Sequence, residues 1–547
     1  MRRGDRASAL IAIVVAGCVG TSGEPAQPAR AVATAASSRL DAPAAHAPLR
    51  RLSRTEFDHA VLDLLGVDAH AASAFPPDET VAGFEANSLA PVTQTLVEQL
   101  ADAAESIASS STLPLERLAP CTHTTDSRRC AIAFVDSLAT RAYRRPLDPS
   151  ERDALLELYD AKARDGGHAA GVRFVIEAVL QAPSFLYRPE PAPEAPQVAR
   201  PLTGHEVATR LAFFVWASPP DDALRDDASR GRLDTSEHVA AAARRMLADP
   251  RAERGARSFV RQWLGLDELE TASKDSALYP AYSHDLRRSM VEETLRFGAE
   301  ALLAEGDGLA RLLTSPESYV DPPLARLYGV KASKEVGFVR VSLPTSERAG
   351  VLTRAAVLSV LANPDQSSPI RRGKFVRERL LCQPIPPPPP GIAIATPKFD
   401  PKLSTRERFA QHRTDRSCSG CHAMMDPIGF GFEHYDALGS FRAKEGPRPI
   451  DATGEISDTA DLDGAFDGAI EISSKLATSG EVRRCFATQW FRYALGRNET
   501  ETDAPSIAEA HAAFEGAGFD VRELVVAIAA SHAFRHVGPP VSPGTEP

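Results

Sequence analysis

Apolar side chains recur at helical spacing along most of this chain, and each run opens on a recognisable start signal. Ser53-x-x-Glu56 reads as a capping box, followed by Phe57, Val61, Leu64 and Leu65 on one face. Asp148-Pro149-Ser150-Glu151 places Pro at the first helical position, ahead of Leu155, Leu158 and Tyr159. Thr203-x-x-Glu206 precedes Val207, Leu211 and Phe214. Ser404-x-x-Glu407 and Asp520-x-x-Glu523 repeat the device, the latter before Leu524, Val525 and Ile528. Strand alternation is sparse, with one short example at Phe338 to Leu343. The pattern predicts a mainly α protein of several consecutive helical modules with little β structure.

The first 17 residues do not belong to that fold. Arg2, Arg3 and Arg6 form a basic start, and Ala9 to Ala16 an apolar stretch. That stretch is too short to span a bilayer, which takes about 20 residues. It ends in Val15-Ala16-Gly17-Cys18, which looks like a lipobox. The expectation is a lipoprotein signal peptide over 1–17, with Cys18 lipidated, and Val19 leans towards the outer membrane. The localisation expected is the cell envelope, at the periplasmic face or surface of that membrane. Residues 18–47 are rich in Ala, Pro, Ser and Gly, too poor in large apolar groups to offset ordering entropy, and read as a disordered tether. Residues 538–547 read as a disordered tail. Between them the expected modules are 48–112, 120–192, 198–330, 347–445 and 450–537. Pro189 to Pro201 reads as a linker, and the prolines from Pro384 to Pro390 as a stiff spacer within the fourth module.

Composition narrows the function classes. The chain is 43% hydrophobic and 25% charged, with a net charge of −11. The signal carries three Arg and one Asp, so its loss makes the remainder two units more negative. A generic nucleic-acid role needs a basic face and is not expected. No G-x-S-x-G, Walker loop, H-E-x-x-H or dinucleotide fingerprint occurs. The acidic stretch Asp451, Glu455, Asp458, Asp461, Asp463 and Asp467 lacks the spacing of an EF-hand and reads as a solvated loop.

The strongest chemical signal is Cys418-Ser419-Gly420-Cys421-His422. This spacing is the attachment motif of haem c, in which two thiols bind the two vinyl groups and the adjacent His ligates iron, and it gives the expectation of a cytochrome c-like helical region around the motif. Three other readings stay open at this level. They are a plain disulfide, a zinc site with a further ligand, and a thiol redox pair. Haem in a low-spin cytochrome needs a second axial ligand. Met424 and Met425 lie too close in sequence, while Met246, Met290, His412, His434, His532 and His536 cannot be ranked. Arg371-Arg372-Gly373-Lys374 could pair with haem propionates, though surface helix charge is the simpler reading. With Cys18 lipidated and Cys418 and Cys421 committed, two disulfides are expected in an oxidising compartment, Cys121–Cys130 and Cys382–Cys485.

The residues also carry a family resemblance. Arg51 to Phe57 with Asp63 to Gly66, Phe75 to Glu79, Tyr143 to Leu147 and Ser184 to Arg188 belong to it, as do Leu211 to Ser218 and Gln262 to Leu264. So do Ser368 to Gly373, Cys418 to His422, Asp426 to Phe430, Glu433, Tyr435, Asp436, Gly439, Arg442 and Tyr493 to Arg497. The chain resembles the large secreted proteins of planctomycetes and myxobacteria assembled from a fixed series of domains of unknown function. That resemblance implies association with planctomycete-type cytochrome c modules and so supports haem. Two functions follow. One is an exported haem redox protein, in electron transfer or oxidative chemistry, with a redox partner or extracellular polymer. The other is a non-catalytic lipoprotein binding a polymer or protein, with structural disulfides and no haem.

Overall fold

The structure, a computed structural model, describes residues 43–120, 127–193, 198–331, 337–387, 397–410 and 418–539. Cys18, the signal and most of the tether therefore lie outside the described residues. Helix accounts for 57% and strand for 8%, the strands forming two-stranded ribbons. The mainly α expectation holds.

The start signals work as local chemistry dictates. Ser53 accepts from the Glu56 amide, and Glu56 accepts from the Ser53 amide at 3.0 Å, opening the helix Arg54–Leu65. Gly66, at φ 73°, ends it. Thr203/Glu206 and Ser404/Glu407 close the same reciprocal pairs. Asp520 differs: it accepts from the Arg522 amide, while Glu523 pairs with Arg244 instead. The expected strand is present as Val339–Ser342, paired with Glu317–Val320. Two readings need correction. The acidic stretch is no loop throughout, because Thr453–Ile456 and Gly464–Asp467 pair as an antiparallel hairpin with Ile456 and Phe466 buried. The end of the tether is also ordered: Ala44 is buried and the Gly538 amide donates to the Ala45 carbonyl at 2.9 Å.

Two apolar cores result. The smaller gathers Phe57, Leu100, Val135, Tyr159, Val175 and Phe185 from helices between residues 54 and 186. The larger gathers the helices Gly204–Trp216, Ala252–Trp263, His284–Leu303, Gly480–Leu495 and Val521–Ala530. Its centre is aromatic: Phe259 stacks on Trp490 at 3.9 Å and on Trp263 at 5.8 Å. The cores interlock, since Phe84 sits in the larger and Phe213 in the smaller.

Buried arginines bind distant segments together. Arg144 donates to the carbonyls of Ser184, Phe185 and Tyr187 at 2.6 to 3.0 Å, tying the end of one helix to the segment some 40 residues on. Arg354 and Glu293, both fully buried, pair at 3.2 Å, with Ser318 and Tyr328 donating to the same carboxylate.

Candidate functional site

Cys418 caps the helix Ser419–Phe430, hereafter the motif helix. The His422 amide donates to the Cys418 carbonyl at 3.1 Å, closing its first turn. Residues three and four apart share a helix face. Cys421 and His422 therefore both lie one turn from Cys418. Both cysteines are thiols and half-buried. The residues from 411 to 417, just before the motif, lie outside the described residues.

The far end of this helix is held rigidly. The helix Pro369–Phe375 crosses it at glycines. A Cβ on Gly373 would stand 1.9 Å from the Met425 carbonyl oxygen, and one on Gly429 would stand 1.8 Å from the Pro369 carbonyl oxygen. Only glycine permits that approach. Arg372, expected as surface charge, is instead 1% exposed. It donates to the carbonyls of Phe432, Tyr435 and Asp436 at 2.7 to 3.0 Å, satisfying the chain just past the motif helix. Burial pulls its guanidinium down to about 10, against the opposing pull of Glu433. Arg371 faces outward and pairs with Glu268. Neither residue points to a propionate-binding role.

Beyond Phe375 the chain widens into a π turn, Val376–Leu380. The turn carries Arg377, which donates from Nε to the Met424 carbonyl at 3.0 Å and from a terminal nitrogen to Gln383 at 2.7 Å. Cys382 follows and forms a disulfide with Cys485, with Cα atoms 5.4 Å apart. The bond ties the segment that steadies the motif helix to the helix Gly480–Leu495. Cys130 is buried in the helix Ser127–Tyr143 and is disulfide-bonded, whereas Cys121 lies outside the described residues.

His422 is held by a neighbour that the sequence reading missed. Its Nδ1 lies 3.0 and 3.2 Å from the two carboxylate oxygens of Asp426. Asp426 is fully buried. The i, i+4 spacing on a helix was the signal that could have found it. With Nδ1 so engaged, Nε2 is the ring nitrogen that could take a metal.

The candidate second ligands are spread through the fold. Met246 and Met290 are fully buried in the larger core. Met425 is buried beside Gly373. His434 stacks on Phe441 and bonds the Arg442 carbonyl through Nδ1. His532 and His536 stack on each other at 3.8 Å. His412 lies outside the described residues. Among the described residues no cluster of three or more His, Cys, Asp or Glu is arranged to hold a metal ion by itself.

The donor set fits haem c: two thiols on one helical turn, and an imidazole whose orientation is fixed from behind. Cys418 and Cys421 would form the covalent links, and His422 would supply the proximal nitrogen.

Five family profiles match the chain in order. They are described as Protein of unknown function (DUF1587) at residues 50–112, (DUF1595) at 130–190, (DUF1592) at 202–330, (DUF1588) at 348–445 and (DUF1585) at 463–534. No curated protein and no solved structure matches. The 348–445 match contains both the motif helix and the helix that clamps it. The chain belongs to the planctomycete-type family of multi-module proteins built from these domains of unknown function.

Proposed function

We propose that this chain is an exported c-type haem protein, anchored at the cell envelope through lipid on Cys18 and moving electrons outside the cytoplasm. One observation carries the reading. Cys418, Cys421 and His422 lie together on the first turn of one helix, and the buried Asp426 carboxylate orients the His422 imidazole. The name of the matching profile, PSCyt3, points in the same direction.

Haem supplies one-electron chemistry when bound. The chain's part is attachment and orientation. Cys418 and Cys421 would hold the group through thioether links to its two vinyl groups, and His422 would ligate its iron. Gly373, Gly429, Arg372 and Arg377 seat the motif helix and so would fix the orientation of a group held on it. Among the described residues no helix is long and apolar enough to cross a membrane.

Expression in a host with cytochrome c maturation tests the reading. A haem-staining band that survives denaturing electrophoresis, with a Soret band, is expected. Cys418→Ala/Cys421→Ala abolishes both. Protein that is colourless under those conditions contradicts the proposal and leaves the binding-lipoprotein function. Separately, Cys18→Ala releases the protein from membranes if the anchor is as proposed.

A further inference from the structure

We infer that Asp426 is a positioning residue that sets the electronic character of His422 as an iron ligand and lowers the reduction potential of the site. The inference rests on the haem reading above and deepens it.

The geometry is specific. Both Asp426 oxygens lie within 3.2 Å of His422 Nδ1, and the carboxylate is fully buried while the imidazole side chain is 16% exposed. Among the described residues no other side chain is hydrogen-bonded to Asp426. Taking a carboxylate out of water costs several kcal/mol unless its partners compensate. An apolar side chain would fill this place more cheaply, so a solely structural purpose is poorly served. The backbone that carries Asp426 is firmly seated. Its neighbour Met425 presses its carbonyl against Gly373, and Gly429 abuts the Pro369 carbonyl.

A carboxylate that accepts the Nδ1 proton does two things to the ring. It fixes the tautomer, leaving Nε2 as the ligating nitrogen, and it makes that nitrogen a stronger donor. A stronger donor stabilises the oxidised metal over the reduced one. The predicted site is thus tuned towards low potential, suited to handing electrons on or to activating an oxidant rather than to accepting electrons from weak donors. The device was readable as His-x-x-x-Asp on a helix, but only the structure shows the pair buried and closed.

The test uses the mature haem-loaded protein and two variants, Asp426→Asn and Asp426→Leu. Asparagine keeps an oxygen that can accept from Nδ1 and removes the charge. We expect haem attachment to persist in Asp426→Asn, with the reduction equilibrium shifted at least tenfold towards the reduced form. For a one-electron couple that is about 59 mV. The iron–histidine stretch should fall in frequency. An unchanged potential and stretch, with haem still attached, overturn the inference and leave the haem reading standing. Wild-type protein without haem overturns the reading itself. A second readout needs no haem. Nitrogen-15 NMR of unloaded protein should show His422 protonated on Nδ1 in wild type and mixed tautomers in Asp426→Leu. A neutral wild-type ring protonated on Nε2 and not on Nδ1 overturns the inference in either case.

Discussion

Gly373→Ala should unseat the motif helix. The added Cβ would lie 1.9 Å from the Met425 carbonyl oxygen and 2.6 Å from its carbon. Contacts under 3.0 Å essentially never occur for real Cβ atoms, so the two helices must part by about 1 Å. The obstacle is backbone rather than a flexible side-chain tip, so the cost falls at the upper end of overpacking, about 3 kcal/mol. Alanine regains up to about 1 kcal/mol of helix preference at this position. The net loss is about 2 kcal/mol. Gly420→Ala is the matched control. It lies on the motif helix itself, with nothing within 4 Å of its virtual Cβ, so it should be neutral or slightly stabilising. Urea denaturation followed by circular dichroism measures both. Equal midpoints for Gly373→Ala and wild type, or an equal loss in Gly420→Ala, would refute the close-crossing argument.

Other expectations follow from particular contacts. Cys382→Ser/Cys485→Ser opens a link spanning 103 residues; chain-entropy reasoning gives a loss of up to about 4–5 kcal/mol, read as a lower denaturation midpoint, and no change would contradict it. Arg354→Met leaves the Glu293 carboxylate buried with only hydroxyl partners and should cost about 3–5 kcal/mol, recovered in part by adding Glu293→Leu; a mild single variant would contradict the pairing. His536 supplies a pH test. Burial first, then the stacked His532, holds its imidazole down from 6.5 to about 4. Above 6.5 both folded and unfolded states are neutral and the group contributes nothing. Between 6.5 and 4 the unfolded chain takes up a proton that the folded chain refuses, so stability falls as pH falls. Melting temperatures measured from pH 7.5 to 4.5 should drop less steeply in His536→Gln, and parallel curves would contradict the assignment.

What the sequence made legible was local. Ser53/Glu56 and Thr203/Glu206 are decided within one helical turn, so their caps could be read directly. Asp520 failed as a capping box because Arg244 sits near Glu523 in space, at 279 positions' separation in the chain. Arg372 misled for the same reason. An arginine beside Arg371 and Lys374 looks solvated, and its carbonyl partners lie some 60 residues away. The acidic hairpin hid because Asp and Glu are poor strand formers, and only Ile456 and Phe466 betray a buried face. Of the site, the motif Cys418 to His422 was plain, and the pairing of Cys382 with Cys485 followed by elimination. The meaning of Gly373 and Gly429 was not, since close backbone approach leaves no trace in a pattern of apolar and polar positions. Asp426 stood in view, four residues from His422, and its importance depends on burial that no single sequence displays.

The central claim is that Cys418, Cys421 and His422 hold haem c. Intact mass spectrometry of protein purified from a cytochrome c maturation host tests it most directly, combined with a pyridine haemochrome spectrum. The account predicts a mass increased by one haem, lost in Cys418→Ala/Cys421→Ala, with a spectrum typical of two thioether links. A mass equal to the polypeptide alone, with Cys418 and Cys421 joined as a disulfide, would contradict it.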